Sequence, residues 1–151
     1  MTLFEKILED LKQAMIKKDE IKVSALRMLK ASLQNLEIEL KAKKKELTDE
    51  LTIEIVSCET KRRKESIEAF DKGGRQDLAQ KEKKELEILS VYLPEQLSEE
   101  KLRVIIQSKI KELSAAGPQD FGKVMGAVSK ETKGKADGNK VSALVKEELS
   151  K

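Results

Sequence analysis

Apolar side chains return every three or four positions along almost the whole chain, and this spacing constrains the fold more than any other feature. Only a helix brings such positions onto one face, because a strand alternates its side chains with a period of two. Thr2 and Glu5 form a capping-box pattern ahead of the first run. That run comprises Phe4, Ile7, Leu8, Leu11 and Met15. With two prolines and a 3% aromatic content, the sequence predicts an all-α protein.

Start and stop signals divide residues 1 to 93 into four long helices. Side chains suited to cap helix N-termini precede the first three, at Thr2, Asp19 and Thr48. The pair Gly73-Gly74 ends the third helix, and Pro94 ends the fourth because proline disfavours helical geometry in the residue before it. Short connections make sequential helices antiparallel neighbours, so we expect helical hairpins packed as a bundle.

The helices after Pro94 are shorter. Ser98 can cap the first, Pro118 suits the first turn of the second, and Asp137 can cap the third. We therefore expect two domains, a long-helix N-terminal domain over residues 1–93 and a small three-helix tail-like domain over residues 95–151.

The composition removes most catalytic designs. Histidine is absent, which excludes the commonest general base and the commonest metal ligand. Acidic residues are plentiful but stand among lysines on polar helix faces, so we interpret them as solvated charge. The single cysteine, Cys58, falls inside a predicted helix, and we interpret it as a buried structural thiol. We expect no catalytic residue, metal site or cofactor, and no enzyme activity from this chain alone.

Charge and hydropathy bear on partners and location. The chain has 31 basic and 28 acidic residues, a formal net charge of +3, so any case for a polyanionic partner depends on local clustering. No apolar run approaches the ~20 residues of a membrane span, and the residues after Met1 mix charged with apolar groups where a secretory signal would be continuous. A lone cysteine fits a reducing compartment. We expect a cytoplasmic protein that does not associate with membranes.

Positive charge is concentrated between residues 121 and 140. The lysines in this segment are Lys123, Lys130, Lys133, Lys135 and Lys140. Five lysines against two acidic residues leave +3. Within it, Lys133, Gly134, Lys135 and Asp137 link one helix end to the next helix start, where free N–H groups favour a phosphate. The candidate nucleic-acid-binding residues are Lys123, Lys133, Gly134, Lys135, Asp137 and Lys140. The alternative is an ordinary glycine-capped turn with solvated lysines.

Gly122 and Gly126 lie one turn apart in a predicted helix, where each costs about 1 kcal/mol relative to alanine. One interpretation is close helix–helix packing, and the other is close approach of a nucleic-acid backbone. Both stay open on sequence alone. Because Phe121 is the only aromatic residue nearby, we expect any nucleic acid to be contacted through its backbone and shape.

A second basic run covers residues 61 to 64. Four consecutive helical residues point around most of a turn, so at least one must face inward or extend its charge to the surface. We interpret the run as solvated helix surface, with Glu59 and Arg63 paired at a spacing of four.

Three ordered segments resemble the signature segments of the GatB/YqeY family. They are Tyr92-Leu-Pro-Glu-Gln-Leu97, Asp120-Phe-Gly-Lys-Val-Met-Gly126 and Lys133-Gly-Lys-Ala-Asp137. With Arg27-Met-Leu-Lys-Ala31 in the second helix, the resemblance covers nearly the whole chain. Three such segments in the expected order are specific, whereas Lys-Gly-Lys alone would mean little.

The resemblance implies a YqeY-like protein whose back domain is similar to the tail domain of the B subunit of the tRNA-dependent Asp/Glu amidotransferase. That tail domain is associated with binding tRNA, so the resemblance implies tRNA or another structured RNA as a partner. The family label, carbon–nitrogen ligase with glutamine as amido-N-donor, comes by analogy, because the B subunit's catalytic cradle is absent here. We expect a tRNA-binding accessory module linked to tRNA-dependent amidation. The alternative is a helical protein–protein adaptor without RNA binding, whose N-terminal helices dock a protein partner.

Overall fold

The computed structural model describes all 151 residues, which form seven α-helices and one short 3₁₀ helix. The α-helices are α1 (Leu3–Ile16), α2 (Glu20–Ala42), α3 (Asp49–Lys72), α4 (Gln76–Ser90), α5 (Glu99–Glu112), α6 (Phe121–Thr132) and α7 (Gly138–Leu149). The 3₁₀ helix, Pro118–Asp120, immediately precedes α6. The chain contains no strand, so the predicted all-α fold is confirmed. None of the helices combines the length and apolarity that a membrane span needs.

Most helices begin where the sequence supplies a capping side chain. The Thr2 hydroxyl accepts from the Glu5 N–H at 3.1 Å, and the Glu5 carboxylate accepts from the Thr2 N–H at 3.0 Å. This reciprocal pair satisfies two donors that the first turn leaves free. The side chains that cap α2, α3, α5 and α7 are those of Asp19, Thr48, Ser98 and Asp137. Hydrogen bonds between residues close in sequence therefore determine where these helices begin.

Residues Met1–Leu93 form a compact unit that contains α1 to α4. Its buried core comprises Ile7, Leu11, Ala25, Leu26, Leu29, Leu33, Val56, Leu89 and Tyr92. The Tyr92 hydroxyl donates to Asp10 Oδ2 at 2.6 Å, which ties the end of this unit back to α1. Burial, together with the Asp10 carboxylate, raises the pKa of the Tyr92 phenol above its usual range.

Arg63 is the member of the second basic run that faces inward, and it is 5% exposed. Its guanidinium donates to Glu82 at 3.0 Å and to Glu85, so the ion pairs join α3 to α4. The expected pair of Glu59 with Arg63 does not form, because Arg63 is turned toward α4. Glu59 pairs instead with Arg62 at 3.5 Å. A buried charge that lost its partner would be strongly destabilising, so removal of Glu85 alone would weaken the packing of α3 against α4.

Cys58 lies on the surface, and the prediction of a buried thiol is wrong. Val56, two residues earlier in α3, is fully buried. Successive helical residues are ~100° apart, so a residue two positions after an inward one points ~200° away from it. The helical register of α3 therefore turns the thiol toward solvent.

Residues Pro94–Lys151 form a second compact unit that contains α5 to α7. Its core comprises Leu102, Ile106, Val124, Val128, Val141, Leu144, Val145 and Leu149. Arg103 on α5 pairs with Glu147 at 3.1 Å and with Glu148 at 2.8 Å, both on α7. Each unit therefore has its own apolar core, and the two cores share no residue.

Candidate nucleic-acid interface

One side of α6 is open to solvent and consists of small and basic residues. Val124 and Val128 are buried and define the inward side of the helix. The exposed residues on the other side are Gly122, Lys123, Gly126, Ser129 and Lys130. Sequence reasoning left Lys130 out of the candidate set, although extending the Gly122–Gly126 spacing by one further turn leads directly to it.

The space that a side chain would fill at either glycine of α6 is open. A Cβ built on Gly122 or on Gly126 would meet no atom within 4 Å. The structure therefore gives no packing reason for either residue, although a glycine inside a helix costs about 1 kcal/mol relative to alanine. The packing interpretation therefore has no support at either glycine, and approach by a nucleic-acid backbone stays a prediction.

Hydrogen bonds hold the turn between α6 and α7. Gly134 has φ +77°, in the left-handed region that favours glycine. The Leu97 N–H donates to the Lys135 carbonyl at 2.9 Å, and the Gln96 side-chain amide donates to the Gly134 carbonyl at 2.9 Å. The Lys135 N–H donates to the Thr132 carbonyl at 2.8 Å. The first residues of the second unit therefore fix the shape of this turn.

The start of α7 presents backbone donors beside the turn. Asp137 Oδ1 accepts from the Asn139 N–H at 3.0 Å, and the Asp137 carbonyl accepts from the Val141 N–H at 3.0 Å. The N–H groups of Gly138 and Lys140 have no acceptor within the chain. Free N–H groups at a helix start attract anions, and the Asp137 carboxylate itself opposes a second negative charge there. The donors that favour a phosphate are thus Gly138 and Lys140.

The lysines on and around α6 differ in whether they pair with a carboxylate. Those that are exposed and form no ion pair within the chain are Lys123, Lys130, Lys135 and Lys140. By contrast, Lys109 pairs with Glu112 at 3.3 Å and with Glu131 at 3.5 Å, and these carboxylates raise the pKa of its ammonium group. The ammonium groups without a carboxylate partner are the ones able to exchange solvent ions for phosphates.

The predicted residues form a strip and not a compact pocket. Lys133, which is exposed and is the C-terminal cap of α6, lies in the turn with Gly134, Lys135 and Asp137. Lys123 is ten residues before Lys133, about 15 Å along a helix that rises ~1.5 Å per residue. We call the strip the basic face. It comprises Gly122, Lys123, Gly126, Lys130, Lys133, Lys135 and Lys140.

Phe121, the single aromatic residue of the second unit, is half-buried at the start of α6. Lys146 Nζ lies 5.5 Å from its ring centroid. Together with Pro118, Leu149 and Ser150 they line a shallow groove of about 450 Å³. Lys146 thus lies over one face of the Phe121 ring, and no second aromatic ring lies beside it to form a stacking platform. The contacts that the basic face can offer a ligand are therefore mainly those of charge and shape. No group of acidic or cysteine side chains is placed to hold a metal ion.

The fold and this site define a class of helical protein that joins a long-helix unit to a three-helix unit with an open, basic helix face. The chain belongs to the YqeY-like family, whose model, described as "Yqey-like protein", matches residues 4–149. The family expected from the three sequence segments is thereby confirmed.

Curated relatives carry the name "Altered inheritance of mitochondria protein 41, mitochondrial". The chain is similar to the Candida glabrata protein, at 36% identity over 124 residues that cover 77% of this chain and 67% of the relative. Its identity to the Kluyveromyces lactis protein is 32% over 123 residues, or 77% of this chain and 65% of the relative. Its identity to the Eremothecium gossypii protein is 39% over 85 residues, which cover 56% of this chain and 45% of the relative. The chain spans about half to two thirds of the length of the curated relatives it matches.

These names contradict the cytoplasmic location expected from the sequence, and that prediction is wrong. It depended on the lack of a membrane span, the lack of a secretory signal and the lone cysteine. None of these features distinguishes the cytoplasm from the interior of an organelle, because import into organelles uses other kinds of targeting segment.

Proposed function

We propose that the second unit binds structured RNA, with tRNA as the first candidate, through the basic face. The observation that carries the proposal is the open space over Gly122 and Gly126 on a helix side that also bears lysines without carboxylate partners. A glycine at such a position relieves no clash within the chain, and it lets a ligand backbone approach the helix closely. RNA phosphates are the ligand groups that suit a helix surface with open space and unpaired ammonium groups.

The chemistry of the basic face favours the phosphate–sugar backbone over the bases. Lysine ammonium groups gain affinity by releasing the counterions condensed on a polyanion. The N–H groups of Gly138 and Lys140 add donors that suit a phosphate oxygen. Since the unit has a single aromatic ring, Phe121, and Lys146 lies over one of its faces, base stacking contributes little. The expected specificity is therefore for the shape of a folded RNA.

In this proposal the chain contributes RNA binding and makes no covalent bond itself. The connection to tRNA-dependent amidation depends on the resemblance of the second unit to the tail domain of the amidotransferase B subunit. The glutamine-dependent carbon–nitrogen ligase reaction would then belong to other chains, and this chain would act as an accessory that holds the tRNA.

A matched pair of double variants tests the proposal. We expect Lys135→Glu with Lys140→Glu to lower the affinity for uncharged tRNA at least tenfold, because two phosphate contacts are lost. The slope of log affinity against log salt should also become less steep by about two, roughly one per lysine. Fluorescence anisotropy with labelled tRNA at several salt concentrations measures both quantities.

The control is Lys12→Glu with Lys84→Glu, two exposed lysines of the first unit that form no ion pair. Both double variants change the net charge equally, so the control separates a specific face from long-range attraction. The proposal requires that the control keep most of its affinity and salt dependence. Unchanged binding in the Lys135 and Lys140 variant, with an unchanged circular dichroism spectrum, contradicts it and leaves the protein–protein adaptor as the alternative.

A further inference from the structure

Arg63 of α3 has a buried donor that no group of the chain accepts from. The residue is 5% exposed, and its Nη1 donates to Glu82 and Glu85 of α4. Its Nη2 donates to the sulfur of Met28 in α2 at 3.6 Å. Its Nε is buried and has no hydrogen-bond partner. A buried polar group without a partner costs free energy and is rare in folded proteins, so this nitrogen calls for an explanation.

Met28 lies beside the part of the guanidinium that lacks a strong acceptor. Nε and Nη2 are neighbours in the planar guanidinium, so an acceptor close to Nη2 can also be reached from Nε. A thioether sulfur is only a weak acceptor, and the sulfur of Met28 accepts from Nη2 alone. A stronger acceptor at this point would satisfy both donors.

Oxidation of Met28 supplies such an acceptor. Met28 is 54% exposed, so a peroxide in solvent can reach it. When the sulfur attacks hydrogen peroxide, an S–O bond forms, the O–O bond breaks, and the second oxygen leaves as water with both protons. The sulfur loses two electrons, which reduce the peroxide. The product is a sulfoxide, whose polar oxygen accepts hydrogen bonds much more strongly than the thioether does.

We propose that Met28 is an oxidation site whose sulfoxide is bound by the guanidinium of Arg63. The sulfoxide oxygen accepts from Nε and Nη2, which satisfies the buried donor and strengthens the contact of α2 with α3. Oxidation here therefore stabilises the first unit, whereas oxidation of a methionine commonly disrupts packing. Reduction by two thiols, which form a disulfide and release the oxygen as water, restores the thioether. The site lies in the first unit and does not depend on RNA binding by the second.

Met15 provides a matched control, because it is 49% exposed and its sulfur accepts no hydrogen bond. Two full-length chains are compared, both with Cys58→Ser and Met125→Leu so that neither of these side chains is oxidised. One also carries Met15→Leu and keeps Met28, and the other carries Met28→Leu and keeps Met15. Leucine conserves the volume of methionine, so both chains should fold. Each is treated with hydrogen peroxide, and mass spectrometry of its peptides verifies the conversion.

Urea unfolding is followed by the fluorescence of Tyr92, the single tyrosine of a chain without tryptophan, so the signal reports on the first unit. Oxidation should raise the urea midpoint by about 0.5 M in the chain that keeps Met28. It should leave the midpoint unchanged or lower it in the chain that keeps Met15. A midpoint that does not rise after oxidation of Met28, or that rises equally after oxidation of Met15, overturns the proposal.

A third chain tests the part played by the guanidinium. Arg63→Lys, added to the chain that keeps Met28, retains the positive charge but removes the neighbouring Nε and Nη2 donors. Oxidation should then no longer raise the midpoint, and an undiminished increase contradicts the assignment to Arg63. If this variant does not fold, the comparison of Met28 with Met15 decides.

Discussion

Gly122 and Gly126 lie inside α6, where both residues reduce helix stability and neither fills a contact. Glycine at both positions has a physical reason if a ligand occupies the space that a side chain would otherwise fill. Their contribution to folding can therefore be measured apart from their contribution to binding.

We expect Gly122→Ala and Gly126→Ala each to raise the free energy of unfolding by about 0.5–1 kcal/mol, since the new Cβ meets open space. Gly134→Ala should instead lower it by about 1 kcal/mol, because Gly134 has φ +77°. Urea unfolding followed by circular dichroism measures all three free energies.

A bulky side chain at the same site tests binding: Gly126→Leu should keep the fold and lower tRNA affinity. Full affinity in that variant would mean that no ligand approaches α6 at this point.

The open space over these glycines could not be predicted from the sequence, because it depends on which helices lie beside α6 and not on local spacing. The exposure of Cys58 is different. The inward position of Val56 in the same helix was enough to predict it, and the buried interpretation came from the general behaviour of free cysteine. For these single residues, helical periodicity predicts position better than the general behaviour of the residue type does: it places Cys58 on the surface and Lys130 beside Gly126.

Ion pairs between α5 and α7 fix these two helices against each other. Arg103 pairs with Glu147 and Glu148, which raise its pKa above the usual range. Hydrogen bonds from Lys151, Gln107 and Arg103 lower the pKa of Glu148 from 4.5 to about 2, against the opposing effect of burial. The folded state therefore favours the ionised Glu148 carboxylate, and this stabilisation depends on pH.

Because the Glu148 pKa is lower in the folded chain, its contribution is complete above pH 4.5 and is lost as the pH falls toward 2. We expect the urea midpoint to decrease over this interval, and Glu148→Gln to make the decrease smaller while lowering stability at neutral pH. Unfolding curves at a series of pH values measure this. Glu65→Gln, at an exposed site in the middle of α3 that forms no ion pair, is the control and should leave the profile unchanged. A Glu148→Gln profile that matches the original would contradict the assignment.

Helix boundaries were predictable where a side chain signals them and less so elsewhere. Thr48 and Asp137 cap the helices that they were expected to cap. The start of α4 at Gln76 has no capping side chain, so its position depends on packing against α3. Pro118 begins a short 3₁₀ helix instead of the first turn of α6. Short 3₁₀ segments are common at the starts of α-helices. Local chemistry thus predicts most helix starts, and tertiary contacts decide the others.

Two separate cores lie within one chain of 151 residues. A core made entirely from its own unit's helices is what an independently folding domain requires. The second unit is small, and domains near 60 residues bury only ~60% of the surface that their unfolded chains expose. Its stability should therefore be modest.

We expect fragments 1–93 and 94–151 each to fold alone, because no residue of either core comes from the other unit. Each should give a helical circular dichroism spectrum and a cooperative urea transition, with the lower midpoint for the smaller fragment. The full chain is the reference. If fragment 94–151 is unfolded, its helices need the rest of the chain and the two units are not separate domains.

The contacts of Gln96 and Leu97 with the carbonyls of Gly134 and Lys135 bear on the speed of recognition. These bonds form when the unit folds, so if the proposed RNA binding is correct, the loop is already ordered when the RNA arrives and no rearrangement has to precede binding. Encounter rates should then be governed by diffusion and ionic strength, and differences among RNAs should appear in how long each one stays bound.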